Sequence, residues 1–266
     1  MPAAVPSAPP AILPPMAART AVVTGASSGI GEATARRLAA DGWRLILVAR
    51  REDRLGAVAR DLPDAVPVVA DLTAEDAPAL VRAAVEARGG DLHLLVNNAG
   101  AGGRSTFADG GWADVHRLMS INFDAQVRLT EVLLPLLRRS APSALVNVGS
   151  VAGRTARPRV GAYCASKYAL VGWTEALHLE EAEHGVHVGL VLPGFIVTEG
   201  FTQAPLVARA RTRWLLSTTD KVAEAIVDAG PGGRAERYVP RPYGLVPVVR
   251  LVVPGVWRRA ARMLGH

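Results

Sequence analysis

One cysteine, Cys164, stands in 266 residues. No internal disulfide can form, and a reducing cytosol suits such a chain. Aromatic residues make up only 5% of the sequence, a bias from which no function is read. The 6 histidines fall at no metal-ligand spacing, so no metal site is expected. Acidic residues are missing after Glu236, where six arginines follow: Arg237, Arg241, Arg250, Arg258, Arg259 and Arg262. The formal net charge is +6, so this end carries the whole excess and the rest of the chain is near neutral. That argues against a broad nucleic-acid-binding face, and no nucleic-acid partner is expected. The first 16 residues, MPAAVPSAPPAILPPM, carry no charge and are broken by prolines. A secretory signal needs a basic start and an unbroken apolar run. Residues 1–18 are therefore read as a disordered Pro/Ala-rich extension, with Met16 a second candidate start, and the protein as cytoplasmic.

What is present is enough for a sizeable core: 50% of the residues are hydrophobic and 20% charged. Short apolar, β-branched runs fall at Thr20–Thr24, Arg44–Ala49, Val66–Ala70, Leu92–Val96, Ala144–Val148 and Val186–Leu192, with a last strand expected at Arg237–Pro240. Between them lie helical stretches at Gly29–Asp41, Arg51–Asp61, Glu75–Arg88, Trp112–Arg139 and Gly161–His184, the fourth expected to bend near Pro135. Strands apolar on both faces and alternating with helices predict a doubly wound parallel sheet of the Rossmann type, an α/β fold in a single domain over residues 19–240. Residues at the carboxyl ends of such strands converge on one crevice.

The motifs sit at those ends. Thr24-Gly25-Ala26-Ser27-Ser28-Gly29-Ile30-Gly31 joins the first strand to the first helix. Glycines let a backbone turn tightly and approach a pyrophosphate, and the helix N-terminus beyond favours an anion. No Gly-Lys-Ser/Thr follows, so this is not a Walker A loop. The second strand ends in Ala49-Arg50-Arg51 with no acid at its tip. An acid there would bind a ribose 2′-hydroxyl, whereas arginine grips a 2′-phosphate. NADP(H) is therefore expected as cofactor, with Arg50 as the main contact and Arg51 assisting. Tyr163 and Lys167 stand four apart near the start of a helix and share a face. The lysine cation is expected to lower the tyrosine pKa and so suit it to proton transfer. Cys164, beside that tyrosine, is read as a small packing residue.

The spacing Thr-Gly-x3-Gly-x-Gly, with Tyr-x3-Lys and Ser150 placed 13 positions before Tyr163, resembles the classical short-chain dehydrogenase/reductase family over roughly Arg19 to Tyr238. The resemblance implies a catalytic set of Asn122, Ser150, Tyr163 and Lys167, in which the asparagine distorts its helix and holds a water near the lysine. Beyond the glycine turn (Gly25, Ser27, Ser28, Gly29, Ile30 and Gly31) it implies that Asp71 and Leu72 meet the adenine. Asn98, Ala99 and Gly100 would approach the cofactor, and for Asn97 a structural role in the sheet stands beside direct cofactor contact. Pro193, Gly194, Ile196 and Thr198 would hold the nicotinamide, with Ile196 where the family pattern has valine. Tyr163 and Lys167 would touch the cofactor as well. The implied reaction is hydride transfer between nicotinamide and a carbonyl or secondary alcohol, in a protein that assembles with copies of itself. A lid is implied over Glu199–Ser217; Phe201, Leu206, Val207, Trp214 and Leu215 make it apolar and point to an apolar small-molecule substrate. Two competing functions are a catalytically silent dinucleotide-binding sensor and an epimerase or dehydratase. The complete tetrad speaks against the first, the glycine spacing and the lack of a sizeable C-terminal substrate domain against the second.

Residues 241–266 form a basic, apolar tail interrupted by Pro247 and Pro254, which makes a clean membrane-crossing helix of about 20 residues unlikely to form. Contact with a membrane surface is the preferred reading, against packing on a partner subunit or over the substrate cleft.

Overall fold

A computed structural model describes residues 19–196 and 216–263. The extension 1–18, Thr198 and almost the whole lid segment lie outside these residues. The first half alternates β1 (Thr20–Thr24), α1 (Gly29–Ala40), β2 (Arg44–Ala49), α2 (Glu52–Arg60), β3 (Ala65–Val69), α3 (Ala77–Glu86) and β4 (Leu94–Asn97). The second half holds α4 (Phe107–Met119), α5 (Ala125–Arg139), β5 (Ser143–Val148), α6 (Gly161–Glu181), β6 (Val186–Pro193), β7 (Phe195–Ile196), β8 (Leu216–Ser217), α7 (Thr219–Ala229) and β9 (Glu236–Val239). Two short helices close the described chain, α8 (Leu245–Val252) and α9 (Pro254–Met263).

Among the described residues, seven strands pair in parallel in the order β3-β2-β1-β4-β5-β6-β9. This is the expected doubly wound α/β sheet, with its topological switch between β1 and β4. β1 and β5 are buried along their whole length, which is why they read as unbroken apolar runs. β3 carries Pro67 and is half exposed, as an edge strand can be. Leu38, Leu55, Val222 and Ile226 pack α1, α2 and α7 on one face; Val81, Leu129, Leu133 and Leu177 pack α3, α5 and α6 on the other.

The long helical stretch differs in part from the sequence reading. A short turn from Phe107 is broken at Gly111 (φ 50°, ψ −149°), so the continuous helix begins at Trp112 as expected, and α5 runs through Pro135 to Arg139. A further irregularity lies at Ser120–Asp124, one widened π-helical turn that contains Asn122, where the resemblance implies a distorted helix. Such single π turns recur at functional sites. α7 was absent from the sequence reading, although its apolar positions Val222, Ala225, Ile226 and Ala229 follow helical spacing.

Candidate active site

The glycine turn needs its glycines for two different reasons. Gly25 and Gly29 have φ of 67° and 58°, in the region that disfavours side chains. Gly31 is limited by space: a Cβ there would lie 2.2 Å from the Gly25 carbonyl oxygen and 2.7 Å from Nδ2 of Asn98. α1 therefore begins flush against the turn. Ser28, at its N-cap, makes no side-chain capping bond, so the first-turn N–H groups remain available to an anion. Thr24 and Asn98 fix this turn to β4. Thr24 Oγ1 accepts from the amides of Asn98 (2.9 Å) and Ala99 (3.0 Å), and Asn98 Nδ2 donates to the Thr24 carbonyl (2.8 Å).

An open cleft runs along the strand ends from Ser27 and Ser28 past Arg50, Arg51 and Leu72 to Ala99 and Gly100. Residues read separately from four βα turns thus line one space. The two arginines differ in what they touch. Arg51 reaches over the glycine turn, donating to Ser27 Oγ (3.0 Å) and Ser28 Oγ (2.6 Å). The Arg50 side chain is 69% exposed and pairs with Asp71 at 3.5 Å. Asp71 accepts from the amide (3.0 Å) and hydroxyl (2.8 Å) of Thr73. These bonds, helped by Arg50, hold its carboxyl below the usual carboxylate range. Asp71 closes a local turn rather than capping α3, which begins only at Ala77.

Beyond Gly100, which lines this cleft, the four expected catalytic residues gather around the end of β5. Asn122 is fully buried and uses both ends of its carboxamide: Oδ1 accepts from the Ala101 amide (2.8 Å), and Nδ2 donates to the Ala101 carbonyl (2.9 Å) and Ser166 Oγ (3.0 Å). Gly100 lies between it and the lysine, since a Cβ there would sit 2.7 Å from Asn122 Oδ1 and 3.8 Å from Lys167 Nζ. Lys167 is 4% exposed and donates to the Val148 carbonyl at 2.9 Å. Burial pushes its pKa down to about 8. Two residues beyond Val148, Ser150 caps a short turn through the Ala152 amide (3.1 Å), donates to the Pro193 carbonyl (3.4 Å) and sits close enough to the Tyr163 phenol to favour its charged form.

The expected lowering of the Tyr163 pKa is not found. Burial raises it above the ordinary phenol value, and the Ser150 hydrogen bond and the Arg157 cation only partly offset that.

Sequence reasoning missed three supports. The first is a buried polar chain under the site: Asn97 donates to Asn147 Oδ1 and Thr130 Oγ1 (both 2.9 Å), and Asn147 donates to Thr174 Oγ1 (2.8 Å). It ties β4 and β5 to α5 and α6, so of the two roles open to Asn97 the structural one is seen. The second is Tyr243, whose ring lies so close to Gly194 that a Cβ there would come within 2.4 Å. Burial pushes this phenol up to about 12. It braces the segment of Pro193, Gly194 and Ile196 from behind. The third is Arg157, whose guanidinium lies 5.0 Å from the Phe195 ring centroid. Its position in the loop before α6 was visible in the sequence, but nothing there marked it. Cys164 is buried, as a packing residue should be, and burial raises its thiol pKa.

The model of the short chain dehydrogenase family matches residues 19–206. A Streptomyces coelicolor protein provisionally named a ketoacyl reductase is 34% identical over 260 residues, covering 92% of this chain and 94% of its own. A dehydrogenase/reductase SDR family protein 7-like of Anopheles gambiae is 34% identical over 194 residues; the match covers 68% of this chain and 60% of that protein. Among solved structures, an actinorhodin polyketide ketoreductase variant with NADPH superposes with a TM-score of 0.79 at 29% identity, over 87% of this chain and 99% of its own.

Proposed function

The chain belongs to the classical short-chain dehydrogenase/reductase family, and from that premise we propose that it is an NADP(H)-dependent oxidoreductase that interconverts a ketone or aldehyde and an alcohol on an apolar small molecule. The observation that carries the reading is the grouping of Tyr163, Ser150 and buried Lys167 just beyond Gly100, which lines a cleft that runs to a glycine turn overlaid by Arg51.

The residues suit the cofactor. Gly25, Gly31 and Gly100 leave room where side chains would intrude, and the uncapped start of α1 suits a pyrophosphate. Arg51, with Arg50 at the rim, would hold a 2′-phosphate, and Leu72 would pack on the adenine. When bound, the cofactor supplies or takes up a hydride at the substrate carbon. The chain's own residues handle the proton and the developing charge. In reduction Tyr163 gives its proton to the carbonyl oxygen. Ser150 donates to that oxygen as negative charge grows on it. Lys167 would hold the nicotinamide ribose and restore the Tyr163 proton, with Asn122 and Gly100 shaping the space for a relaying water. Cytoplasmic residence and self-assembly belong to the same reading; the first is supported by the composition and the second by the family resemblance alone.

The test is a titration of the full chain with NADPH and NADH by nicotinamide fluorescence, with and without a panel of apolar ketones and aldehydes. NADPH should bind more tightly and be oxidised by members of the panel. Tighter binding of NADH would overturn the cofactor choice, and binding without any turnover would favour the silent sensor. Arg51→Ala should weaken NADPH by about 10- to 100-fold, as loss of a charge-assisted phosphate contact does, and leave NADH almost unchanged. Equal losses for both cofactors would instead assign Arg51 to the glycine turn.

A further inference from the structure

The surface helix α8 is turned the wrong way for an ordinary soluble protein. Leu245, Val248, Val249 and Val252 recur at the spacing that makes one helical face, the apolar stripe that normally seeks the core. Here that face is open: Leu245 is 67% and Val252 73% exposed, and neighbouring Leu251 is 74% exposed. The polar residue of the helix points inward instead. Arg250 donates to the Arg154 carbonyl (3.1 Å) and lies over the Tyr168 ring. The stripe continues through exposed Val253 and Val256 into α9, where Arg258 and Arg259 are exposed beside half-buried Trp257. No acidic residue follows Glu236 in the sequence.

An exposed apolar stripe flanked by arginines and free of acids is complementary to one kind of surface, an apolar layer rimmed by negative charge. A second copy of the same tail would bring arginines against arginines. No helix among the described residues is long and apolar enough to cross a membrane. We infer that α8 and α9 dock the protein flat on an anionic lipid bilayer, valines and leucines in the acyl boundary and Arg258 and Arg259 among the headgroups. Tyr243, at the root of this tail, packs on Gly194 in the segment after β6. Docking therefore holds that end of the catalytic crevice near the lipid phase, where an apolar substrate concentrates.

Flotation of the full-length protein with phosphatidylcholine vesicles, with and without phosphatidylglycerol, tests this. The wild type should float with the anionic vesicles and much less with the neutral ones, and added salt should release it. Val252→Asp combined with Leu251→Asp should abolish flotation. Arg258→Gln combined with Arg259→Gln should weaken it by tenfold or more, at roughly 1 kcal/mol per basic residue near such a surface. All four side chains are exposed, so far-UV circular dichroism and melting temperature should be unchanged in both variants. Failure of the folded wild type to bind anionic vesicles overturns the proposal. So does binding that survives the Asp pair, or an Asp pair that dissociates an oligomer of wild type that never floats.

Discussion

Tyr163→Phe is expected to lower kcat for carbonyl reduction by about 10²- to 10⁴-fold, the range for removing a positioned general acid, while NADPH affinity stays within a few-fold. The ring keeps its place on α6. The loss is confined to one hydroxyl, because Ser150 retains the Ala152 amide as a partner. The pH dependence follows from the direction of the Tyr163 shift. Burial raises its pKa, so the phenol holds its proton throughout the neutral range. Proton donation to a carbonyl should therefore be level through neutral pH. Alcohol oxidation, which needs the phenol to accept a proton, should climb as the pH rises. Ser150→Ala should reduce the rate as well and raise the Tyr163 pKa further, since the serine hydrogen bond is the largest influence lowering it. Steady-state rates in both directions and a fluorescence titration of each variant check these outcomes. A Tyr163→Phe variant with more than about a tenth of the wild-type rate would remove the tyrosine from the proton-transfer step, given the expected range.

The sequence reading located the sheet well because parallel strands are buried on both faces. β1, β2 and β5 appear as apolar runs whose ends agree with the structure to within a residue. The glycine turn was legible for a related reason, since glycine spacing records backbone geometry directly. Arg51 and Arg50 were legible as a pair but not as individuals. What each side chain touches was not legible, since Arg51 reaches Ser27 and Ser28 across the turn, 24 and 23 residues away along the chain. The π turn at Asn122 was legible through the family resemblance, which implies a distorted helix at that asparagine, and not through the apolar periodicity. Tyr243 and Arg157 act through tertiary contact from outside every motif. The error about the Tyr163 pKa had a physical source too. Charge proximity was inferred from spacing, but burial, which sequence spacing does not report, sets the direction.

Lys167 carries the second large effect, and it has opposite signs for activity and stability. Lys167 and Lys221 are the only lysines in the chain, and Lys167 is almost wholly buried. Its pKa falls from 10.5 to about 8 on burial. Below pH 8 the folded protein must carry a buried cation that the unfolded chain would leave in water, so folding there bears the full cost. As the pH rises from about 8 towards 10.5, the folded form sheds its proton first and the cost fades. At 1.36 kcal/mol per pKa unit the burden is about 3 kcal/mol. Lys167→Met removes it but leaves the Val148 carbonyl without its donor, a loss of about 1 to 3 kcal/mol. Without cofactor, the variant is expected to be more stable than wild type at neutral pH by about 1 to 2 kcal/mol, or a few degrees in Tm. That advantage should vanish by the pH at which free lysine discharges. Its turnover should meanwhile fall by about 10²-fold or more, because no cation remains beside Gly100 to hold the ribose and return the proton. Thermal melts of both proteins across this pH range, set beside their rates, decide the matter. An equally stable or less stable variant at neutral pH would mean that the Val148 bond outweighs the desolvation of the ammonium. A gain that persists at high pH would mean that packing, not charge, separates the two proteins.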